Sequence, residues 1–160
     1  MKKTLFILVG WVTWSSIAVN AASSTWRPPD ALLRAVRQVE SSNGRNVYGD
    51  AGRSLGHFQL SEAAWIDVSA WRKTQRLKVY PYRSYVMHPY INQTYAADYL
   101  AMIHAELSRR YRRPPTAGEI YAAYNMGLSN FAECKYRLAN VNPVTARKAR
   151  EIHQLMEKAG

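Results

Sequence analysis

The chain has 160 residues, with 22 Lys plus Arg against 11 Asp plus Glu for a formal net charge of +11, and a single cysteine. That length makes one domain with a real hydrophobic core, and a lone cysteine excludes an internal disulfide framework. The basic excess attracts polyanions such as wall polymers, anionic lipid or nucleic acid, without choosing among them.

In chain order, Lys2 and Lys3 precede an apolar run from Leu5 to Ala18, and Val19-Asn20-Ala21 then offers the small side chains a signal peptidase reads. This pattern predicts a secretory leader over residues 1–21, and so a protein of the periplasm or the exterior. The run is too short for a membrane anchor, which takes about 20 apolar residues. Loss of Lys2 and Lys3 lowers the formal charge from +11 to +9. Cys134 lies too far from the cleavage region to carry a lipid, and reads as a small buried apolar residue. Residues 22–29 are predicted to be a linker, and residues 30–160 one domain.

Leu32, Leu33, Val36 and Val39 recur at helical spacing after Pro28-Pro29, which predicts a first helix with Glu40 in its last turn. Ser41-Ser42-Asn43-Gly44 ends it, and the glycine-rich segment to Leu60 predicts a folded-back loop or small β-hairpin. Ser61 is an N-cap for a helix through Trp65 and Val68, whereas Ser69 to Arg83 is basic, poorly periodic and read as loop. A stripe of Ile91, Tyr95, Tyr99, Met102, Ile103 and Leu107 predicts a long helix ending before Pro114. Arg109, Arg110, Arg112 and Arg113 at its end are either a solvated helix terminus or a polymer-binding cluster. Thr116 and Glu119 form a capping box opening a helix that stops at Gly127. A short helix is expected over Ser129 to Leu138, and Asn142-Pro143 opens the last one. The sum is a mainly α domain with a small β-like insertion after Glu40.

A glutamate at a helix end is ordinarily a solvated charge, but Glu40 opens into a glycine-rich loop and can face a cleft while half buried. Its company changes the reading. Val39-Glu40-Ser41-Ser42, Gly56-His57-Phe58-Gln59-Leu60 and Ala123-Tyr124-Asn125-Met126-Gly127 resemble, in order, the three-part signature of the lysozyme-like superfamily that holds lytic transglycosylases and goose-type lysozymes. Pro89-Tyr90-Ile91-Asn92 with Tyr99-Leu100 resembles the segment where those enzymes place a long core helix. The resemblance implies a lysozyme-like fold and cleavage of the β-1,4 bond between N-acetylmuramic acid and N-acetylglucosamine, with peptidoglycan strands as the partner. It makes Glu40 the catalytic acid, puts Gln59 on a strand lining the cleft, gives Ser41 a substrate-binding place beside the acid, and makes Tyr124 and Asn125 the far wall. Glycine at 56 is expected to let the backbone approach a bulky polymer.

A glycosidase acid must hold its proton near neutral pH. Many lytic transglycosylases are similar in needing no second carboxylate, because the glutamate draws the muramic acid's own primary hydroxyl onto the anomeric carbon. Hydrolases need one. The string from Gly49 to Leu60, followed by Ala64-Trp65-Ile66-Asp67, also resembles invertebrate-type lysozymes and their bacterial relatives, in which the aspartate at the position of Asp50 is the second catalytic residue. The chain lacks that group's many cysteines, and aspartate beside glycine is also a common turn residue. His57, His88, His104 and His153 fall at no ligand spacing, and there is no Gly-rich phosphate loop, so neither metal nor cofactor is expected. A monomer is expected, with no nucleic-acid recognition motif and no stable membrane anchor after leader cleavage. The rival reading is a cationic wall-binding protein that keeps the cleft without turnover.

Overall fold

The computed structural model describes residues 26–159; the expected leader, and the first half of the expected linker, lie outside them. The described residues form seven α-helices, two short 3₁₀ turns and a three-stranded antiparallel sheet. Helix α1 (Asp30–Ser41) is followed by β1 (Tyr48–Gly49), β2 (Ser54–Leu55) and β3 (Leu60–Ser61), with a 3₁₀ turn at Asp50–Gly52 between the first two strands. Then come α2 (Glu62–Thr74), α3 (Tyr82–Tyr85), α4 (Pro89–Tyr111), α5 (Ala117–Met126), α6 (Leu128–Glu133) and α7 (Pro143–Glu157). This is the mainly α lysozyme-like architecture that the resemblance implied, with the small sheet directly after the Glu40 helix.

The core surrounds α4, whose Tyr95, Ala96, Leu100, Ile103 and Leu107 are buried. On one side the Trp65 ring of α2 stacks on Tyr95 at 3.6 Å and meets Tyr82 edge-on, while its indole N–H donates to the Tyr80 carbonyl at 2.8 Å. On the other side α5 packs on α4 and against α7, and α7 also packs on α1. The site helices α1, α5 and α7 are therefore held by one another.

The stretch Ser69 to Arg83 is not all loop: α2 continues to Thr74, and Tyr82 to Tyr85 make a helical turn. Apolar periodicity fails there because the inward position after Val68 is Arg72, whose guanidinium bonds the buried Asp98 carboxylate of α4 and donates to the Lys78 carbonyl at 2.7 Å. Arg27 reaches Asp98 as well, at 2.9 Å, and Trp26 stacks on His104 at 4.0 Å. The described end of the expected linker thus packs against α4. The helix expected over Ser129 to Leu138 starts at Leu128 and ends at Glu133. Lys135 and Tyr136 take left-handed φ of 53° and 55° and turn the chain away.

Local signals are realised where they concern backbone satisfaction. Ser61 caps α2 by accepting from Ala64 N, and Asn142 caps α7 by accepting from Thr145 N, with Pro143 at N1. The capping box is complete: Thr116 accepts from Glu119 N, and the Glu119 carboxylate accepts from Thr116 N at 2.7 Å. Thr116→Ala is expected to cost about 1 kcal/mol, read as a lower urea midpoint at unchanged slope, with glycan cleavage unaffected because the cap lies at the far end of α5 from the site. An unchanged midpoint would refute the cap's contribution. The arginine cluster is largely tied within the molecule. Arg109 and Arg110 both bond Glu106, Arg113 bonds Glu119, and the Arg110 and Arg113 guanidiniums cover the Tyr136 and Tyr111 rings.

Candidate active site

Glu40 ends α1, where Ser42 in the left-handed conformation terminates the helix, and its side chain is only 7% exposed. Three donors converge on its carboxylate. The Tyr121 hydroxyl donates to Oε1 at 2.6 Å, Asn125 Nδ2 reaches the same oxygen at 3.4 Å, and Lys148 Nζ lies 3.2 Å from Oε2. Burial above all, and then the charge of Glu40, push the Tyr121 hydroxyl far above the ordinary tyrosine range, so it remains a donor at every working pH. In all three contacts Glu40 is the acceptor.

A pocket of about 380 Å³ lies in front of this carboxylate, lined by Glu40, Asp50, Gln59, Tyr124 and Asn125, with Asn142, Val144, Thr145 and Lys148 on the α7 side. Five of the six residues singled out in the sequence are thus brought together. Asp50 is exposed at the hairpin tip with a left-handed φ of 49°, and its Oδ2 accepts from the Ser54 hydroxyl at 3.1 Å. Tyr124 is buried and donates to the Phe58 carbonyl at 2.6 Å; burial, followed by the Glu40 charge, raises its pKa well above the ordinary value. Its hydroxyl therefore ties α5 to the hairpin, and the residue lines the pocket.

Three expectations are corrected, that for Gln59 only as to its strand. Ser41 does not line the cleft: it is 1% exposed, donates to the His57 carbonyl at 2.6 Å and accepts from Gly44 N at 2.8 Å. It fastens the hairpin's far turn to the end of α1. Gln59 is not on a strand but in the turn before β3, with a left-handed φ of 49°, and its Nε2 is committed to the Asn46 and Gly56 carbonyls. Gly56 faces the core rather than a polymer: its φ is +81°, and an added Cβ would lie 2.5 Å from Asn92 Nδ2. His57 points toward Gly44, outside the pocket, and burial, then Arg37, lower its pKa so that it is neutral at pH 7. Among the described residues no group of three His, Cys, Asp or Glu could hold a metal, and no helix is long and apolar enough to cross a membrane.

Comparison with protein families matches residues 17–142 to the transglycosylase SLT domain. The chain belongs to that family. The SLT assignment places it with the lysozyme-like lytic transglycosylases that act on peptidoglycan, and the matched span contains Glu40, the hairpin, and Tyr124-Asn125. No curated protein and no solved structure matches the chain. The SLT match stops at Asn142, one residue before α7, so two of the groups around Glu40 and Asn125, Thr145 and Lys148, come from outside it.

Tyr121, Thr145 and Lys148 escaped the sequence reading. Tyr121 was discoverable, since it precedes Asn125 by four residues and so shares its helix face. Lys148 stands among Arg147 and Arg150 on a basic helix, and nothing local distinguishes it from solvated neighbours.

Proposed function

We propose that this SLT domain is an exported lytic transglycosylase that cleaves the β-1,4 bond between N-acetylmuramic acid and N-acetylglucosamine, with Glu40 as general acid and then base. The observation that supports it most is a nearly buried carboxyl at the head of a polar pocket, ringed by Tyr121, Asn125 and Lys148. Export rests on the basic, apolar and small-residue order of residues 1–21.

In the first step the Glu40 proton goes to the glycosidic oxygen, the bond to the muramic C1 breaks, and the N-acetylglucosamine end leaves as an alcohol. In the second the Glu40 carboxylate takes the proton of the muramic C6 hydroxyl as its oxygen bonds C1. The anhydro ring closes, no water is consumed, and Glu40 ends protonated. The three donors suit the carboxylate stage between the two steps. Beside the pocket runs a second groove of about 600 Å³ between α2 and the α5–α6 junction, with Asp67, Trp71 and Met102 in its walls and Tyr124 and Asn125 shared by both. The two together make a trough for a glycan strand, where Trp71 offers a stacking face to a sugar.

Asp50 shares the pocket, which favours an electrostatic part for it: a carboxylate facing the positive charge that develops at C1. Mass spectrometry of a sacculus digest tests both points. Anhydro muropeptides are expected from the native protein, and Asp50→Asn is expected to slow their release about tenfold without changing their kind. Reducing ends from the native protein, with cleavage nearly abolished in Asp50→Asn, would instead make Asp50 the residue that activates water.

A further inference from the structure

The helix beyond the SLT match carries a second feature of the site. The backbone N–H of Thr145 can only donate, and it donates to Asn142 Oδ1 at 2.9 Å. That contact fixes which end of the Asn142 amide is which, so its Nδ2 faces Thr145 Oγ1 and donates to it at 3.0 Å. The Thr145 hydroxyl donates its one proton to Asn125 Oδ1 at 2.8 Å. Asn125 is thereby fixed as well, with its Nδ2 toward Glu40 Oε1. The first two links follow from the backbone donor, and the last two from the Glu40 oxygen, which accepts from Asn125 and so turns the amide's Oδ1 to the Thr145 hydroxyl. The chain is thus pinned at both ends, by a backbone N–H that can only donate and by the Glu40 oxygen that accepts.

From this one-way chain we infer that Thr145 is a positioning residue: its hydroxyl holds the Asn125 amide with the NH₂ toward Glu40, so that the first turn of α7 is part of the catalytic machinery. This rests on Glu40 being the acid and base, as proposed above. Without the Thr145 proton the Asn125 oxygen loses its donor, and the amide can swing away from Glu40 or turn its oxygen toward it. In the second case two acceptors would face each other at the stage when Glu40 is charged, and in either the step that draws the C6 proton would lose its preorganised donor. Thr145 itself is 2% exposed, at the back of the pocket wall, and its one proton is committed to Asn125.

The test uses the purified protein on soluble glycan strands, with kcat and KM read from anhydro product. Thr145→Val keeps the volume and removes the hydroxyl. It is expected to lower kcat about tenfold with KM within about twofold and Tm within about 3 °C, because Asn125 and Asn142 are exposed and water can satisfy them. Thr145→Ser keeps the hydroxyl and is expected to stay within about threefold of the native kcat. Since the effect runs through Asn125, adding Thr145→Val to Asn125→Ala is expected to cost nothing further. Equal loss in the Val and Ser variants, native kcat in the Val variant, or losses that multiply in the double variant would each overturn the inference. Glu40→Gln serves as the control: cleavage surviving in it would remove the reading beneath, a result distinct from any pattern at Thr145.

Discussion

Glu40→Gln is expected to reduce the release of anhydro muropeptides by roughly 10³-fold or more while leaving the fold intact. The amide keeps the shape of the side chain and can still accept from the Tyr121 hydroxyl, now 2.6 Å from Oε1, but it has no proton to give to a glycosidic oxygen. Losing the charge leaves Lys148 without its partner. Lys148 is 23% exposed, however, and can turn to water, so stability is expected to hold within a few degrees of Tm. Sacculus binding should persist, because the trough and the basic surface are untouched. A Glu40→Gln protein that digests glycan at the native rate would end the proposed mechanism. A native protein that binds sacculi and makes no new ends would favour the non-catalytic wall-binding alternative.

Gly56→Ala is expected to destabilise the protein by about 3–5 kcal/mol, the sum of a left-handed backbone cost and of the contacts it would break. Gly56 has φ +81°, and a Cβ there would stand 2.6 Å from the Val86 carbonyl oxygen and from Asn92 Cγ. Neither neighbour can give way cheaply. Val86 O is backbone, and the Asn92 side chain joins the hairpin to α4 by accepting from Phe58 N at 2.9 Å and donating to Leu55 O at 3.3 Å. Against a total stability of about 5–15 kcal/mol the change is large, and a fall in Tm of about 10–15 °C is expected. Cleavage should fall with it, since a hairpin loosened from α4 no longer holds Asp50 and Gln59 in the pocket. A Tm within about 3 °C of native would show that the turn has room the geometry denies.

Much of the secondary structure was legible because its causes are local. The caps at Ser61, Thr116 and Asn142 satisfy orphan N–H groups within three residues, Gly127 stops α5, and the apolar stripe of α4 declares a buried helix. The stretch after Val68 misled because its inward residue is the charged Arg72. Its burial is tolerable only with Asp98, 26 residues on, already in place. Ser41 and Gly56 build the hairpin from inside, whereas Gln59 both braces it and lines the pocket. Residues that hold a site together and residues that meet its ligand occur in the same short motifs.

By itself, then, the order of residues determined a mainly α, strongly basic domain with Glu40 at a helix end and the ordered blocks of a lytic enzyme around it. Only the tertiary structure decided what surrounds that carboxylate. Tyr121 is 81 residues from Glu40 and Lys148 is 108, and Thr145 reaches Asn125 across 20. Such pairings leave no trace in local periodicity, because what brings them together is the packing of α1 and α5 on α7, and a hydrogen bond has direction only once both of its ends are in place.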